Sequence, residues 1–555
     1  MKIVDLDSLI IIYRDVYSEL YKESIDELNT LYTTNSKQFY STISLPFASF
    51  YSRDPTLTEV HKLNVKFKLL RYVIDNYNKN EIAINVDNYF IKNCLEEYLC
   101  ANNIRGYKII SKKTKLSTYI NSFIEICSSL IIFYYKLLKL LYFKFITSLF
   151  FRLRIDIAKE KIIVDTFYMS DAIKKRQIID RYHTKDFYED LNSKYPNQEL
   201  YILPEINFLN LSYRDIIFLK KSYPNSLLKF EWITYINFLE IVYIAFRILF
   251  TNNYYICKKK SHYLFNIFFW ENLVMGPKLL IHLQNYFVIK NLKKRQFEIS
   301  HFFDWWENQT VDKVLHFSFH KFFSKTIRIG VISYIVDMDL NNHLYPSANE
   351  HNLQFTPNHY WVWSSYFGKK IQERSPFFQY FEFKQSRFSY LKNVTCPLQY
   401  DENYILVMLP IDTSISFLIL DYIKKFVNEN EYFTFFIKIH PANTRKIENI
   451  NLNNNMRIII DSSIDFTLNY KLVISSNSSA SMESILSYRY LLLVSSSKDL
   501  NNVLNNIVPD TLYKNAYTYS DFKFGLFYLI NRNITDDLII FNNIRANILS
   551  LDLLT

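Results

Sequence analysis

The sequence predicts an α/β protein built from parallel sheets in at least two domains. Its 555 residues, 49% of them hydrophobic, exceed what one hydrophobic core holds and can fill two. Short apolar runs alternate with helix-like segments near both ends of the chain, which is typical of βαβ units. The run 433–439 has the length and composition of a buried strand and ends at His440-Pro441.

The first 115 residues show the βαβ pattern. The start, MKIVDLDSLIII, carries Asp5 and Asp7 inside its apolar stretch, so we expect a first strand there and not a signal peptide. EIAINVDN then predicts a strand, YFIKNCLEEYLCANN a helix and YKIIS a further strand.

Two aromatic-rich segments, 119–153 and 226–275, interrupt this pattern. The first is helical in length but has no uncharged window of about 18 residues, which a membrane span requires. Its cations Lys136, Lys139 and Lys144 share one broad helical face, so the segment fits either a helix lying in a membrane interface or a core helix pair with solvated lysines. The second segment repeats these features.

The middle of the chain returns to strands. KIIVDTFYM predicts a strand ending near Asp165. Asp165, Asp171, Asp180 and His183 are candidate site residues, but each fits a solvated or capping role better. Further on, WWENQTVDKVLHFSFHKFF predicts a helix and IRIGVISYI a strand.

Regular alternation resumes after Cys396-Pro397. YILVMLPI predicts a strand, 414–430 a helix, and FTFFIKI, MRIII and KLVI three core strands. We therefore predict an N-terminal domain over 1–395, a nucleotide-binding domain over 396–520 and C-terminal helices over 521–555 that pack back on the N-terminal domain.

The loops after two of these strands carry polar groups suited to binding. His440 stands at the carboxyl end of a strand, where ligands bind in open α/β sheets. A serine-rich turn follows the last strand and leads into a helix-like segment, and a helix N-terminus favours phosphate. The alternatives are a plain turn and a helix cap, but a strict capping box needs Ser or Thr where the chain has Ala480. The turn contains Ser475, Ser476, Asn477, Ser478, Ser479 and Ser481.

Composition excludes several classes of protein. Five glycines leave no G-x-G-x-x-G fingerprint and no P-loop. The net charge of +11 favours anionic partners, although the Tyr, Phe, Ile, Asn and Lys content is typical of an AT-biased genome. Scattered lysines without a recognition motif argue against nucleic acid. Five dispersed cysteines fit a reducing cytosol, and no tight acidic or Cys/His cluster predicts a metal.

The strand ending in His-Pro and the later Ser-Ser turn with Glu483 in the next helix resemble the carboxyl-terminal half of GT-B glycosyltransferases. The pattern is similar to sialyltransferase-like, Kdo-transferase-like and surface-carbohydrate biosynthesis proteins of bacteria. DWWENQTVDKVLHFSF before IRIGVISYI is similar to the acidic E-N-Q segment of the last group. The resemblance covers about 300–500. It implies two Rossmann-like domains facing a central cleft, with helical insertions at about 119–153 and 226–275.

The resemblance also implies a site. It places the nucleotide and phosphate of a CMP-activated sugar on His440, Pro441, Ser476, Ser478 and Ser479. Glu483 holds a ribose hydroxyl in this interpretation, or else only favours its helix dipole. Arg387, in the segment KQSRF, is a further candidate for phosphate. The acidic pair followed by glycine that supplies the base in sialyltransferases is missing, so Glu307 and Asp304 are the candidates for that role.

The function expected from this pattern is metal-independent transfer of a nucleotide-activated sugar, without a cofactor and with inversion. The expected acceptor is a surface glycan or a lipid-linked molecule, and the expected location is the inner face of the cytoplasmic membrane. Two alternatives stay open. One is a CDP-polyol glycerophosphotransferase of the teichoic-acid type, and the other is a non-catalytic membrane-associated scaffold that retains the GT-B fold.

Overall fold

The structure is a computed structural model, and its description covers most of both sheet-forming regions. The described residues are 2–5, isolated positions between 16 and 27, 60–76, 82–87, 89–104, 107–150, 159–244, 283–334, 345–383, 388–397, 399–440, 453–459, 470–495, 504 and 507–549.

A small parallel sheet opens the chain. Its strands β1 (Lys2–Asp5), β2 (Ile82–Val86) and β3 (Tyr107–Ser111) pair in chain order. Helices α1 (Val60–Asn76) and α2 (Tyr89–Ala101) belong to the same region. The first strand and the strand, helix and strand over 81–111 are therefore confirmed.

A single long helix, α3 (Lys115–Phe150), follows this sheet and confirms the first helical insertion. Contrary to the expectation from its charges, Lys115–Leu149 is long and apolar enough to cross a membrane by length and composition alone: its best 18-residue window has a mean hydropathy of 1.5, and 28% of that window is buried. The second insertion is described only up to residue 244, and 245–275 lie outside the described residues.

The first six-stranded sheet has the order β5-β4-β6-β7-β8-β9, and the pairs from β5 to β8 are parallel. Its strands are β4 (Lys161–Tyr168), β5 (Glu199–Ile206), β6 (Ile299–Trp305), β7 (Ile327–Ile332), β8 (His359–Val362) and β9 (Tyr380–Glu382). The helices that accompany them are α4 (Ser170–Lys174), α5 (Lys185–Lys194), α6 (Tyr213–Ser222), α7 (Lys229–Trp232), α8 (Tyr235–Ile244), α9 (Leu283–Lys294), α10 (Thr310–Phe322), α11 (Ala348–Asn352) and α12 (Ser365–Arg374).

The second six-stranded sheet is parallel throughout and has the order β12-β11-β10-β13-β14-β15, the strand order of a Rossmann fold. Its strands are β10 (Asp401–Met408), β11 (Thr434–Lys438), β12 (Met456–Ile459), β13 (Tyr470–Ser475), β14 (Tyr490–Val494) and β15 (Tyr513–Ala516). Its helices are α13 (Thr413–Glu429), α14 (Ser479–Leu486), α15 (Tyr519–Ile530) and α16 (Ile534–Leu549).

Burial on both faces of the sheet explains why the sequences of the central strands are continuous apolar runs. In β13 and β14 every residue is buried, because helices cover both faces of a doubly wound sheet. In β10 only the last four residues are buried. The predicted α/β class with two Rossmann-like sheets is confirmed.

In both large sheets the direction in which successive strands are added reverses once, beside the first strand of the sheet. β5 lies on one side of β4 and β6 on the other, and in the same way β11 and β13 flank β10. Ligands in open α/β sheets bind at such a switch point, outside the carboxyl ends of the strands. The loops after β4 and β6, and those after β10 and β13, are therefore the places to look for function.

The chain divides into two compact units at positions that differ from the predicted domain limits. The first unit comprises Met1–Ile332, Asn342–Val362 and Ile371–Phe381, and the second comprises Ser333–Asn341, Trp363–Lys370 and Glu382–Thr555. The second unit thus begins before the predicted position 396. The predicted separate segment 521–555 also belongs to it, because α15 packs against β14 and β15 and α16 against α14.

Candidate functional site

The carboxyl ends of the central strands of the second sheet bring together residues predicted to bind the nucleotide-sugar donor. Met408 of β10 pairs with Lys438 of β11, and its neighbour Val407 pairs with Ile474 of β13, so the three strands end at the same level. His440 follows Lys438 by two residues. Because β11 and β13 are two strand spacings apart, His440 and the serine turn start about 10 Å from each other.

The N-terminus of α14 has no side-chain cap. Its N-cap residue Ser478 has extended backbone angles (φ −154°, ψ 167°), but its side chain makes no capping hydrogen bond. Ser478 and Ser479 are both partly exposed. The partial positive charge of this helix end is therefore available to an external anion.

The neighbouring helix α13 shows the opposite arrangement. Asp412 caps it, and its Oδ1 accepts hydrogen bonds from Ser414 N at 2.7 Å and Ile415 N at 3.3 Å. The hydrogen bond from the Ser414 hydroxyl, together with these amides, lowers the pKa of Asp412. The chain's own carboxylate already occupies this helix end, although it stands at the same switch point.

Three other serines in or beside this turn are engaged within the protein. Ser475 donates to Met408 O at 3.2 Å, Ser481 to Ser476 O at 2.6 Å, and Ser484 to Ala480 O at 2.8 Å. Ser476 itself is buried. Ser475, Ser476 and Ser481 are thus buried while Ser478 and Ser479 are partly exposed, a difference in burial that the sequence pattern did not reveal.

Glu483 lies within α14 and is only 5% exposed. The Tyr390 hydroxyl donates to its Oε2 at 2.7 Å, a contact that sequence reasoning missed because the two residues are far apart in the chain. The ribose-binding role of Glu483 stays a prediction. Arg387 and Pro441 lie outside the described residues.

The switch point of the first sheet contains the acidic E-N-Q loop. This loop, Trp306 to Gln309, separates β6 from α10, so the helix begins at Thr310 and not within the WWENQ run as predicted. Asn308 has a positive φ of 56°, which Asn tolerates better than most residues. Asp312 accepts the backbone N–H groups of Glu307 and Gln309 at 2.9 Å each and so fixes the loop.

The Glu307 carboxylate is partly buried and held in one orientation. Trp305 Nε1 donates to its Oε1 at 2.9 Å, and Gln309 Nε2 donates to its Oε2 at 2.6 Å. Trp305 is itself stacked on Tyr182, with ring centroids 4.5 Å apart and an interplanar angle of 6°. A carboxylate held in this way at a strand end is suited to accept a proton from a bound hydroxyl.

Beneath this loop, two buried carboxyl groups face each other. Asp165 of β4 and Asp304 of β6 directly follow Val164 and Phe303, which are paired in these adjacent strands. Among the described residues, Oδ1 of each carboxyl is buried and has no hydrogen-bond donor. A proton held between the two carboxyls satisfies both oxygens, whereas two ionised groups would leave both unsatisfied.

The protonation of this pair follows from burial. Burial raises the pKa of Asp304 to about 8, and Glu307 adds to the effect. Burial likewise raises the pKa of Asp165 well above its usual range, with Asp304 as the next cause. His316 Nε2 lies 2.9 Å from Asp304 Oδ2, and burial lowers the pKa of His316, so this imidazole is a neutral donor.

These positions distinguish the two candidates for the proton acceptor. Asp304 is completely buried in β6, whereas Glu307 stands on the loop and is partly exposed. The geometry favours Glu307 for contact with a substrate and gives Asp304 a supporting position beneath it. Both roles stay predictions.

The other acidic candidates have structural partners. Asp171 lies 3.4 Å from Lys174 and is exposed, as expected of a solvated residue. Asp180 accepts hydrogen bonds from Thr166, Tyr188 and two backbone amides, and so ties the loop after β4. His183 is buried, and its Nε2 lies 3.1 Å from Asp165 O. For Asp165 a solvated or capping role is wrong, and its place in the apolar run KIIVD was the signal for burial.

A cavity of about 510 Å³ lies elsewhere, between α1, α2 and the preceding chain. Its charged residues pair with each other: Lys68 lies 3.1 Å from Glu27, and Arg71 lies 3.5 Å from Asp75. It therefore shows no preference for an anion or a cation. Within the described ranges, no group of three or more His, Cys, Asp or Glu side chains is arranged to hold a metal ion.

No family model and no curated protein sequence matches the chain. Among solved structures, S. aureus MnaA with UDP is 8% identical, with 70% of this chain and 91% of that chain covered and a TM-score of 0.39. The kitacinnamycin glycosyltransferase is 6% identical over 71% and 96%, with a TM-score of 0.40. The UDP-GlcNAc 2-epimerase from Neisseria meningitidis, bound to UDP-GlcNAc, is 12% identical over 70% and 94%, with a TM-score of 0.36. These values describe distant similarity and assign no activity to this chain.

Proposed function

We propose that this protein is a glycosyltransferase that moves a sugar from a nucleotide-activated donor to a hydroxyl acceptor. The observation that carries the proposal is the uncapped N-terminus of α14 at the switch point of a Rossmann-type sheet. His440 follows the end of β11, which is separated from β13 only by β10, and adds an imidazole at the same end of the sheet. Together these groups suit the phosphates of a nucleotide.

The chemistry needs two kinds of group. The departing nucleotide gains negative charge on its phosphate, which the N–H groups of α14, the hydroxyls of Ser478 and Ser479 and the ring of His440 stabilise. The acceptor hydroxyl must lose a proton as it attacks the anomeric carbon, and Glu307 is the carboxylate offered for this step. Direct attack on the side opposite the leaving phosphate inverts the configuration of the sugar.

The identity of the nucleotide base is a separate matter. The resemblance to sialyltransferase-like proteins favours a CMP-sugar, whereas two of the similar solved structures contain UDP or UDP-GlcNAc. The edge described above binds phosphate and does not distinguish cytosine from uracil. The test must therefore include both nucleotides.

The test is a calorimetric titration of the full-length protein with UDP, CMP, CDP and GDP. We expect one nucleotide to bind and the double variant Ser478→Ala/Ser479→Ala to bind it about one to two orders of magnitude more weakly, because hydrogen bonds to charged groups contribute roughly 1.5 to 3 kcal/mol. Ser520→Ala is the matched control, since Ser520 is an exposed serine in the first turn of α15.

The outcome also separates the alternative functions. If none of these nucleotides binds, the protein is not a transferase of this kind and the scaffold interpretation gains support. If CDP binds and product analysis shows transfer of a polyol phosphate in place of a sugar, the glycerophosphotransferase alternative replaces the proposal. An affinity that falls only because the double variant unfolds, seen in its melting temperature, removes the evidence for a phosphate site.

A further inference from the structure

Helix α3 is attached to its unit along one face over almost its entire length. At its C-terminal half, the ring centroid of Phe143 lies 5.6 Å from that of Phe230 in α7, and Lys144 Nζ donates to Glu231 O at 2.7 Å. Its buried positions recur at helical spacing from the first turns to the last. They include Ser122, Ser129, Phe133, Leu140, Phe143 and Thr147.

The opposite face of α3 is apolar and exposed. Positions separated by seven or eight residues, and a last pair separated by four, fall within one narrow sector of the helix. Each of these side chains is more than half exposed, and no described element covers them. They are Leu116, Phe123, Ile131, Leu138, Phe145 and Leu149. The stripe is about 50 Å long at 1.5 Å per residue.

The charges around this stripe have one sign. Between residues 112 and 150 the chain has six lysines and a single acidic residue, Glu125. Lys139 lies on one flank of the stripe, about 110° from its centre, whereas Lys144, at a similar angle on the other flank, donates to Glu231 O. Such an arrangement is complementary to a surface that is apolar inside and negatively charged at its border.

Helix α8 adds a second exposed apolar surface in the same unit. Ile236, Leu239 and Tyr243 follow the i, i+3, i+7 spacing of one helical face and are 65–72% exposed. The helix begins three residues after Trp232, the last residue of α7, which is the element that packs on α3.

A transmembrane arrangement does not fit α3. A spanning helix needs lipid or apolar protein on all sides, and about 30 Å suffices to cross the hydrocarbon layer. Here one whole face is bound to the unit, and the exposed stripe exceeds 30 Å by roughly 20 Å. A second copy of the chain as the occupant would bring lysines against lysines, because the flanks offer only Glu125 in return.

We propose that the exposed face of α3 lies flat on an anionic lipid bilayer, with its lysines at the level of the headgroups. This surface is independent of the assignment of glycosyl transfer. It would hold the first unit at a membrane.

The test uses the full-length protein and sedimentation with vesicles of phosphatidylcholine, with and without phosphatidylglycerol. We expect binding to the anionic vesicles that weakens as salt is added. Phe123→Asp/Ile131→Asp should bind at least about tenfold more weakly, because two exposed apolar groups lose their lipid contact. Lys113→Glu/Lys139→Glu should lose about fivefold for each lysine.

Ile539→Asp is the matched control, because Ile539 is an equally exposed isoleucine on α16 of the second unit. This variant should bind the vesicles normally. The apolar substitutions change exposed side chains and Lys139 is half-buried, so unchanged melting temperatures must verify that each variant is folded.

The orientation of α3 on the bilayer is measured with single tryptophan substitutions at Ile120, Ile131 or Leu149. The measured quantity is the quenching of their fluorescence by brominated lipids. Equal and shallow quenching at the three positions supports a helix that lies flat. Quenching that varies with depth along the helix overturns it in favour of a span. Absence of binding to anionic vesicles overturns the proposal, and so does a solution dimer that dissociates in Phe123→Asp/Ile131→Asp, because the face then joins two copies.

Discussion

At the switch point of the first sheet, the loop after β6 presents a carboxylate fixed by two donors, above a pair of buried carboxyls. At the switch point of the second sheet, the loop after β13 presents small hydroxyl side chains and an uncapped helix end. Both sheets are doubly wound, with parallel pairs from β5 to β8 in the first and throughout the second, so the topology is shared while the chemistry differs. The difference teaches that the fold provides the place for a ligand, and the few residues after each strand decide which charge is accepted there.

The comparison between helices α13 and α14 makes the same point within one unit. Both begin at the same switch point, but Asp412 fills the N-terminus of α13 while Ser478 leaves that of α14 without a side-chain cap. One residue type thus decides whether a helix end is satisfied by the chain or remains for a ligand.

The largest expected effect concerns the carboxylate of the first sheet. Glu307→Gln should lower the rate of sugar transfer by about 10²- to 10⁴-fold, because an amide cannot accept the proton of the acceptor hydroxyl. Nucleotide affinity should not change. The measurement is kcat with the donor identified by titration, and Glu189→Gln, an exposed residue of α5, is the control. Near-normal turnover would move the role to Asp304, Asp165 or another group.

The next effect concerns the imidazole of the second sheet. His440→Ala should weaken nucleotide binding by about one to two orders of magnitude, because a hydrogen bond to a charged phosphate is lost. Calorimetry with the nucleotide and with the corresponding nucleoside separates the causes. If the nucleoside, which has no phosphate, loses affinity to the same extent, His440 contacts the base or the ribose and the phosphate assignment is wrong.

Exchanging the caps sharpens the comparison between α13 and α14. Ser478→Asp should lower nucleotide affinity at least tenfold, since a carboxylate then occupies the phosphate site, and it should raise stability by about 0.5 to 2 kcal/mol as a cap. Asp412→Ala should lower stability by a similar amount and leave nucleotide affinity unchanged. Titration and thermal unfolding measure both. A Ser478→Asp variant with normal affinity would show that α14 does not bind phosphate.

Close packing at one glycine in each unit gives a smaller, purely structural effect. A Cβ on Gly330 of β7 would stand 2.7 Å from Pro357 Cγ and 3.0 Å from Trp306 Cβ, so Gly330→Ala should cost about 1 to 3 kcal/mol. A Cβ on Gly525 would meet the mobile end of Leu492 at 2.7 Å, and Gly525→Ala should cost less. Thermal unfolding that ranks the two variants in the opposite order would contradict this packing.

The last expected effect is a change in pH dependence. The folded pKa of Asp304 is raised to about 8, so its proton stabilises the fold at low pH, and this stabilisation declines as pH rises from about 4 to 8. The lowered pKa of His316 acts in the opposite sense below about pH 6.5. Asp304→Asn should remove only the first effect. The melting temperature at pH 5 minus the melting temperature at pH 8 should therefore be smaller in the variant than in the parent protein.

Much of the fold could be predicted because it depends on local sequence. The strands near EIAINVDN, KIIVDTFYM, IRIGVISYI and YILVMLPI were all confirmed, since apolar runs of this length have few alternatives. The helix after WWENQ began later than predicted. Its start is set by the cap that Asp312 provides and by the positive φ of Asn308, and periodicity reports neither.

The sequence by itself determined which chemical groups end the strands: His440 after β11, the serines after β13 and Glu307 after β6. It could do so because a strand and the residue that ends it are neighbours in the chain. Only the tertiary structure decided which of these ends meet at a switch point, since strand order depends on packing between distant segments. It also decided that Asp165 and Asp304 lie side by side on the adjacent strands β4 and β6, and that the Ser478 side chain does not cap α14. These are contacts between side chains and partners whose positions no local pattern specifies.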